Sequence, residues 1–324
     1  MAVLGEVLVD VFADGRQVAG GAPFNVARWL LCFGVPTLLV SRLGDGDTAA
    51  TLLRAEWARL GGDARGLQAD ALHATGLVRV LPGPATDGPG DEGHRFEIAA
   101  DSAWDHLQAA PALPLLHAAA PGVVVFGTLA LRSAPARAAI TELLQATPAL
   151  RFADLNLRPV EGLQALCDFA LQQADWVKVN DDELDTLLAW FTNASAGANA
   201  TPPARGSAAH AAAVAVLIQR YALQRLVVTC GAQGWFTVNA HGKRDAEGAA
   251  PAVPHIVDTV GAGDAFAATL LAACVQGWPL AQALPAASRL ASAVCGWQGA
   301  LPADTAVINH WRQTLGLGGA AAMA

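Results

Sequence analysis

Positive charge is scarce in this sequence, and several familiar signatures are missing. Lysine and arginine number 20 against 28 aspartates and glutamates, giving a formal charge of −8, and no long basic run interrupts the chain. That argues against nucleic acid or an anionic membrane as the main partner and points to a small ligand. The five cysteines, at 32, 167, 230, 274 and 295, form no CxxC pair and no regular frame, so they read as reduced core thiols of a cytoplasmic protein. The eight histidines include no HExxH, which leaves a catalytic zinc site without support. No basic n-region precedes the strand-like start from Met1 to Glu6, and no export signal is expected. The apolar residues lie in short alanine-rich segments broken by Gly, Pro and charge, none of them a convincing membrane span. No GxGxxG follows the first strand, which weighs against a dinucleotide-dependent dehydrogenase.

What is present reads as an α/β enzyme. With 324 residues, 53% of them apolar, the chain can bury a large core, and residues 1–324 are expected to form one domain. The organising stretch is Asp258-Thr259-Val260-Gly261-Ala262-Gly263-Asp264-Ala265-Phe266, a glycine turn running into an apolar helix that continues to Cys274. The first N–H groups of a helix have no partner within it and the helix dipole adds partial positive charge. A phosphate would therefore rest on Gly261, Ala262 and Gly263. Asp264 beside it is repelled unless it has work to do, and a base facing an acceptor hydroxyl is such work. The competing reading is that Asp264 caps the helix and the glycines only make a tight connection.

Earlier in the chain, Val3 to Val9 reads as a buried strand with Asp10 at its carboxyl end, the edge where open α/β sheets bind ligands. Gly20 and Gly21 allow close backbone approach, and Asn25 either reads a hydroxyl or caps the helix from Val26 to Phe33. Segments 11–19 and 73–100 alternate like half-exposed strands and are expected to form a small lid that excludes water, or else an ordinary surface hairpin. Val123 to Phe126 is the next buried strand. In Asp154-Leu155-Asn156-Leu157-Arg158 the polar residues would share one face of an extended chain. Arg158 then supplies a cation near the ligand or pairs with Asp154. Asn180 and Glu183 fit a capping box, or hold magnesium through its water shell. Residues 192–210 read as a flexible loop. Leu226 to Thr229 is a strand leading to a second glycine turn, Cys230-Gly231-Ala232-Gln233-Gly234, so a nucleotide is expected on the C-terminal half of the sheet edge and a small substrate on the N-terminal half.

Gly20-Gly21-Ala22-Pro23-Phe24-Asn25, with Gly34 and Gly44 downstream, resembles the first signature of the ribokinase-like (PfkB) carbohydrate kinases, and Asp258 to Phe266 resembles the second. The Asp154–Arg158, Lys178–Glu183 and Thr229–Gly234 segments are similar to family elements and come in family order. Gly5-Glu6 with Asp10 looks most like the fructokinase branch. The resemblance implies a three-layer sandwich, a mostly parallel central sheet flanked by helices, with a small β-strand lid. It implies ATP-dependent phosphorylation of a sugar primary alcohol, with Mg2+ as cofactor and K+ as a further candidate. By this likeness Asp264 is the base, and Gly261, Ala262 and Gly263 are the anion hole. Asp10, Gly20, Gly21, Asn25 and Arg158 face the sugar; Asn180, Thr229, Gly231 and Gly234 face the nucleotide. Glu183 is the magnesium position, and Asp258 with the Val260 carbonyl a monovalent-cation site. Fructose is the leading acceptor; 2-keto-3-deoxygluconate, ribose, a nucleoside, or a sensor that turns nothing over are the alternatives. Homodimerisation through the lid is an analogy with the family. Two departures stand out: Ser288 where many relatives carry Asn, and Gly296-Trp297 in place of Thr-Arg. The acidic segment from Asp101 to Asp105 is a further candidate to reach the sugar.

Overall fold

The computed structural model describes residues 1–82, 94–192 and 201–318. Its strands, in chain order, are β1 (Ala2–Leu4), β2 (Leu8–Phe12), β3 (Gln17–Gly20), β4 (Leu38–Gly44), β5 (Leu67–Asp70), β6 (Gly76–Pro82), β7 (His94–Ile98), β8 (Val123–Phe126), β9 (Leu150–Asp154), β10 (Trp176–Asn180), β11 (Arg225–Thr229), β12 (Trp235–Asn239) and β13 (Arg244–Gly248). The helices are α1 (Ala22–Cys32), α2 (Thr48–Arg59), α3 (Leu113–Ala119), α4 (Ala134–Gln145), α5 (Leu163–Gln173), α6 (Asp181–Phe191), α7 (Ala208–Arg220), α8 (Ala262–Val275), α9 (Leu280–Val294) and α10 (Thr305–Leu315).

Nine strands form the main sheet in the order β13-β12-β11-β10-β9-β8-β1-β4-β5. Those from β11 to β5 run parallel to their neighbours, while β12 and β13 pair antiparallel at one edge. Its central strands are near-continuous apolar runs because both faces are covered. Successive side chains point to opposite faces. Leu4, Val124 and Phe126 join a core with α3, α4, α5, α6 and α7. Val3, Val123 and Val125 join a second core with α1, α2, α8, α9 and α10. This is the three-layer arrangement that the resemblance implies. Among the described residues no helix is long and apolar enough to cross a membrane.

A separate four-stranded sheet, ordered β3-β2-β6-β7, makes a flap. Its outer pairs are antiparallel and its central pair, β2 with β6, is parallel. It draws on residues 8–20, 76–82 and 94–98, and the part of the expected lid segment from 83 to 93 lies outside the described residues.

Two expectations are corrected. Val3 to Val9 is not one strand. The main-sheet strand stops at Leu4, and the chain turns at Gly5, where a Cβ would lie 2.6 Å from the Pro23 Cγ, then enters the flap as β2. Asp10 therefore lies within a flap strand, beside Val18 and Val78, and not at the end of a main-sheet strand. The expected loop 192–210 is also shorter at its far end. Residues 193–200 fall outside the described residues, but Ser207 accepts from the His210 N–H and starts α7, and Arg205 pairs with Asp181, Asp182 and Asp185 on α6.

Candidate active site

A cavity of about 1130 Å³ runs along the carboxyl ends of β9, β10 and β11, under the flap residues Leu8, Val78, Phe96 and Ile98, to the start of α8. Fourteen of the sixteen expected site residues line it, and the other two support it from behind. At Gly20 a Cβ would lie 2.2 Å from the Asp10 Oδ2, so only glycine there leaves room for that carboxylate. Asp258 Oδ1 accepts from Val260 N at 2.9 Å and Oδ2 from Gly299 N at 3.0 Å, bracing the loop that leads into α8.

Helix α8 is apolar all round, and every residue from Asp264 to Ala273 is buried, so it runs through the interior with only its N-terminus open to the cavity. Gly261 is its N-cap, with φ of 83°; a Cβ there would lie 2.2 Å from the Ala300 Cβ. The Ala262 N–H already donates weakly to Thr259 O, at 3.3 Å. Gly263 lets the Lys178 ammonium come close, since a Cβ at 263 would be 3.3 Å from Nζ.

Asp264 follows Gly263 and caps nothing. Its Oδ2 accepts from Asn25 Nδ2 at 2.7 Å, a buried bond across 239 residues of chain. Asn25 is not a cap either. Helix α1 starts at Ala22 with Gly21 as N-cap, and the Asn25 side chain is turned inward, where its Oδ1 accepts from Arg28 Nη2. Arg28 also donates to Ala19 O at 3.1 Å and to Glu56 Oε1 at 3.3 Å. The amide of Asn25 is thus held from behind by a buried guanidinium, and its free end is aimed at Asp264. Burial pushes the Asp264 carboxyl above its ordinary value, opposed by the Asn25 bond and by Lys178, Arg158 and Arg28. Burial likewise raises Asp10 to about 6 and Glu6 to about 7.

Lys178 binds both oxygens of Asp154 at 3.0 Å. Burial disfavours its ammonium, but Asp154, Glu183 and Asp264 together outweigh this and keep it protonated. The alternative Asp154–Arg158 pair is therefore replaced by Asp154–Lys178. Asn156 has φ of 42°, so this segment is not extended, and Arg158 reaches across to stack on Phe96 of the flap, 5.3 Å from the ring centroid. The capping box forms as expected: Glu183 N donates to Asn180 Oδ1 at 2.7 Å, and Asn180 N to Glu183 Oε2 at 2.8 Å. The second Glu183 oxygen accepts from Leu157 N at 2.7 Å. With both oxygens held by backbone, Glu183 suits a cation bound through water better than one bound directly.

At the far end, Thr229 donates to Val179 O at 3.4 Å, and Gly231 and Gly234 take φ of 52° and 104° in the turn after β11. Ser288 is buried and lines the cavity. The acidic segment does not reach it. Asp105 is bound by Arg132 at 2.9 and 2.6 Å and Asp101 by His106 at 2.7 Å, and neither lines the cavity.

Two cavity groups, Lys178 and Glu6, and Arg28 behind Asn25 escaped sequence reasoning. A signal existed for the first two. Each is a charge in an apolar, strand-like run of the sequence, and such a charge needs a partner or a task.

The comparisons with known proteins agree with this geometry. The family model described as pfkB family carbohydrate kinase matches residues 4–306. The fructokinase of Klebsiella pneumoniae is 30% identical over 283 residues, 83% of this chain and 82% of that protein. Among solved structures, a putative ribokinase II from E. coli in complex with ATP and Mg2+ has a TM-score of 0.76 at 20% identity, covering 97% of this chain and 98% of that one. Fructokinase from Vibrio cholerae with fructose, ADP and calcium ion has a TM-score of 0.73 at 23% identity, covering 96% and 97%. With both glycine signatures lining one cavity and the family match spanning nearly the whole sequence, this chain belongs to the pfkB family of carbohydrate kinases, phosphotransferases that act on an alcohol group.

Proposed function

We propose that this kinase transfers the γ-phosphate of ATP to a primary hydroxyl of a small sugar, with fructose as acceptor. The observation that carries the reading is the buried Asp264 carboxylate at the head of α8, bonded to Asn25 and facing the same cavity as Asp10. Asp10, the Gly21 backbone and Asn25 are the sugar-holding groups: a carboxylate and an amide read a polyol by accepting from and donating to its hydroxyls. Asn180, Thr229, Gly231 and Gly234 take the nucleotide. Glu183 holds Mg2+ through water, and the bound ion supplies neutralising charge to the phosphates. The Asp258 side chain and the Val260 carbonyl are the candidate K+ ligands.

An aspartate of ordinary pKa, about 3.9, is too weak to strip an alcohol in advance. Asp264 instead orients the hydroxyl and receives its proton as the new O–P bond forms and the bond to the ADP leaving oxygen breaks. Burial makes it a better acceptor, and Asn25 keeps its geometry. The α8 amides and Lys178, fixed before reaction, carry the negative charge of the transferring group without reorganising. The flap keeps water from competing with the sugar. Fructose is favoured over other acceptors by the fructokinase relative at 30% identity. Homodimerisation through the flap belongs to the same reading and is tested by sedimentation.

The experiment is ADP formation by the purified protein with Mg2+, with and without K+, across fructose, ribose, 2-keto-3-deoxygluconate, glucose and adenosine, using Asp264→Asn as control. Strong fructose-dependent turnover that disappears in Asp264→Asn while ATP still binds is the expected result. Near-normal turnover in that variant removes Asp264 as base. A different preferred acceptor removes fructose, and sugar binding without any turnover favours a sensor.

A further inference from the structure

Away from the cavity, three metal-ligating side chains meet where the flap joins the body. His73, Asp101 and His106 each offer a ligand atom, and all three atoms lie within 4.8 Å of one another. His73 stands three residues before β6 and Asp101 three after β7, so the cluster joins the chain entering the β6–β7 excursion of the flap to the chain leaving it. None of the three lines the cavity, and the proposed mechanism gives them no task. We propose that His73, Asp101 and His106 bind one zinc-type dication and so clip together the two stems of the β6–β7 excursion of the flap.

The support around His73 is what separates this cluster from a chance meeting of polar side chains. Its Nδ1 lies 3.1 Å from Asp70 Oδ2. Asp70 is itself buried and immobilised, accepting from Leu72 N at 2.8 Å and His73 N at 3.0 Å and paired with Arg42 Nε at 2.7 Å. A charged carboxylate takes the Nδ1 proton as a hydrogen bond, which leaves Nε2 with its lone pair free; this is the usual outer support of a metal-ligating imidazole. On the other stem His106 Nε2 and Asp101 Oδ1 already face each other at 2.7 Å. Two imidazole nitrogens and one carboxylate oxygen suit Zn2+, Co2+, Ni2+ or Cu2+ and not Mg2+ or Ca2+, which prefer all-oxygen sites.

Loading requires two small movements. The His106–Asp101 gap widens from 2.7 Å to roughly 3.3 Å, the chord between two ligands of a tetrahedral site. The two rings now stack, with centroids 3.5 Å apart and planes 11° from parallel, so their in-plane lone pairs do not converge. One ring must turn out of the stack. His106 and Asp101 are 30% and 72% exposed, which leaves room for both movements and for water as a fourth ligand.

The test uses the full-length chain without a histidine tag. Zn2+ is titrated against a chromogenic chelator in excess Mg2+, and Co2+ is added separately to read its visible absorption. The expected result is one equivalent bound, with affinity falling roughly tenfold or more in His73→Gln/His106→Gln and, as a second variant at an exposed position, in Asp101→Asn. The Co2+ bands should be lost with it. Zinc should also slow amide exchange over 76–82 and 94–98 in the parent protein and not in the variants. Sugar-kinase turnover without zinc should be the same in all of them, which separates loss of the site from loss of the fold. Absence of Zn2+ uptake overturns the proposal, as does equal uptake by the variants. Uptake with no change in flap exchange overturns the clip.

Discussion

The two glycines that flank Ala262 should respond to alanine in opposite ways. At Gly261 an added Cβ would lie 2.2 Å from the Ala300 Cβ and 2.4 Å from its Cα. Carbon atoms settle at about 3.5–4.0 Å, so the two backbones must part by roughly 1.3 Å. The left-handed conformation adds about 1–2 kcal/mol for a residue with a Cβ, and overpacking about 1–3 kcal/mol. Gly261→Ala should therefore lose about 2–5 kcal/mol of stability. The displaced segment is anchored, because Trp29 Nε1 donates to Ala300 O at 2.9 Å and Gly299 N to Asp258 Oδ2 at 3.0 Å, so the start of α8 moves instead. A displacement of about 1 Å at a reacting centre costs on the order of 10²-fold in rate. Gly263 lies inside the helix, where a Cβ meets only the tip of Lys178 at 3.3 Å. There Gly263→Ala should gain up to about 1 kcal/mol in helix stability. It should still lose turnover, because the methyl stands between Lys178 and the amides proposed to hold the phosphate. Urea unfolding and sugar-dependent ADP formation, measured on both variants, separate the two effects. Unchanged turnover in Gly263→Ala would refute the placement of the transferring phosphate at the head of α8, and unchanged stability in Gly261→Ala would refute the packing argument.

Other outcomes follow from the same geometry. Burial raises the Asp10 carboxyl from 3.8 to about 6, so its stabilising contribution is complete below 3.8 and is lost as pH rises through about 6. In thermal melts of the ligand-free protein, Asp10→Asn should gain on the parent between pH 4 and 7 by up to about 3 kcal/mol, while parent sugar affinity, by calorimetry, should rise over the same window. Asn25→Ala removes the bond that lowers the Asp264 pKa, so the acid limb of the kcat–pH profile should move to higher pH; an unmoved limb contradicts Asp264 as base. Lys178→Met leaves the buried Asp154 unpaired and should cost about 3–5 kcal/mol in urea unfolding. Lys178→Met/Asp154→Asn should regain most of that stability but not turnover.

Where the sequence spoke clearly, one local cause was enough. Val123 to Phe126 and Leu226 to Thr229 are short, largely apolar runs bounded by turns, and the Asn180–Glu183 box needs only four consecutive residues. Errors arose where distant segments decide the outcome. Val3 to Val9 has uniform strand character, and only the approach of Pro23 to Gly5 shows why it must break. Asn25 looked like a cap because its true partners, Asp264 and Arg28, stand 239 residues away and one helical turn on. Asp154 looked equally ready for Arg158, and the parallel pairing of β9 with β10 gave it Lys178 instead. Gly21 and Gly261 were legible for a related reason: φ of 100° and 83° excludes most other residues, so the constraint is written into the residue type itself.

The order of strands in the main sheet also bears on how the chain is made. Strand β1 lies between β4 and β8, with Ala2 beside both Leu38 and Val124. During synthesis it can seat against β4 early, but its other edge stays open until roughly 80 more residues have emerged. At about 5–20 residues per second that is an interval of roughly 4–16 s. For that time the nascent protein shows an apolar strand edge of the kind that recruits other chains. Slowing translation before Val123 should therefore lower the yield of soluble enzyme, and chaperone capture of ribosome-bound chains should end once Phe126 is clear of the exit tunnel.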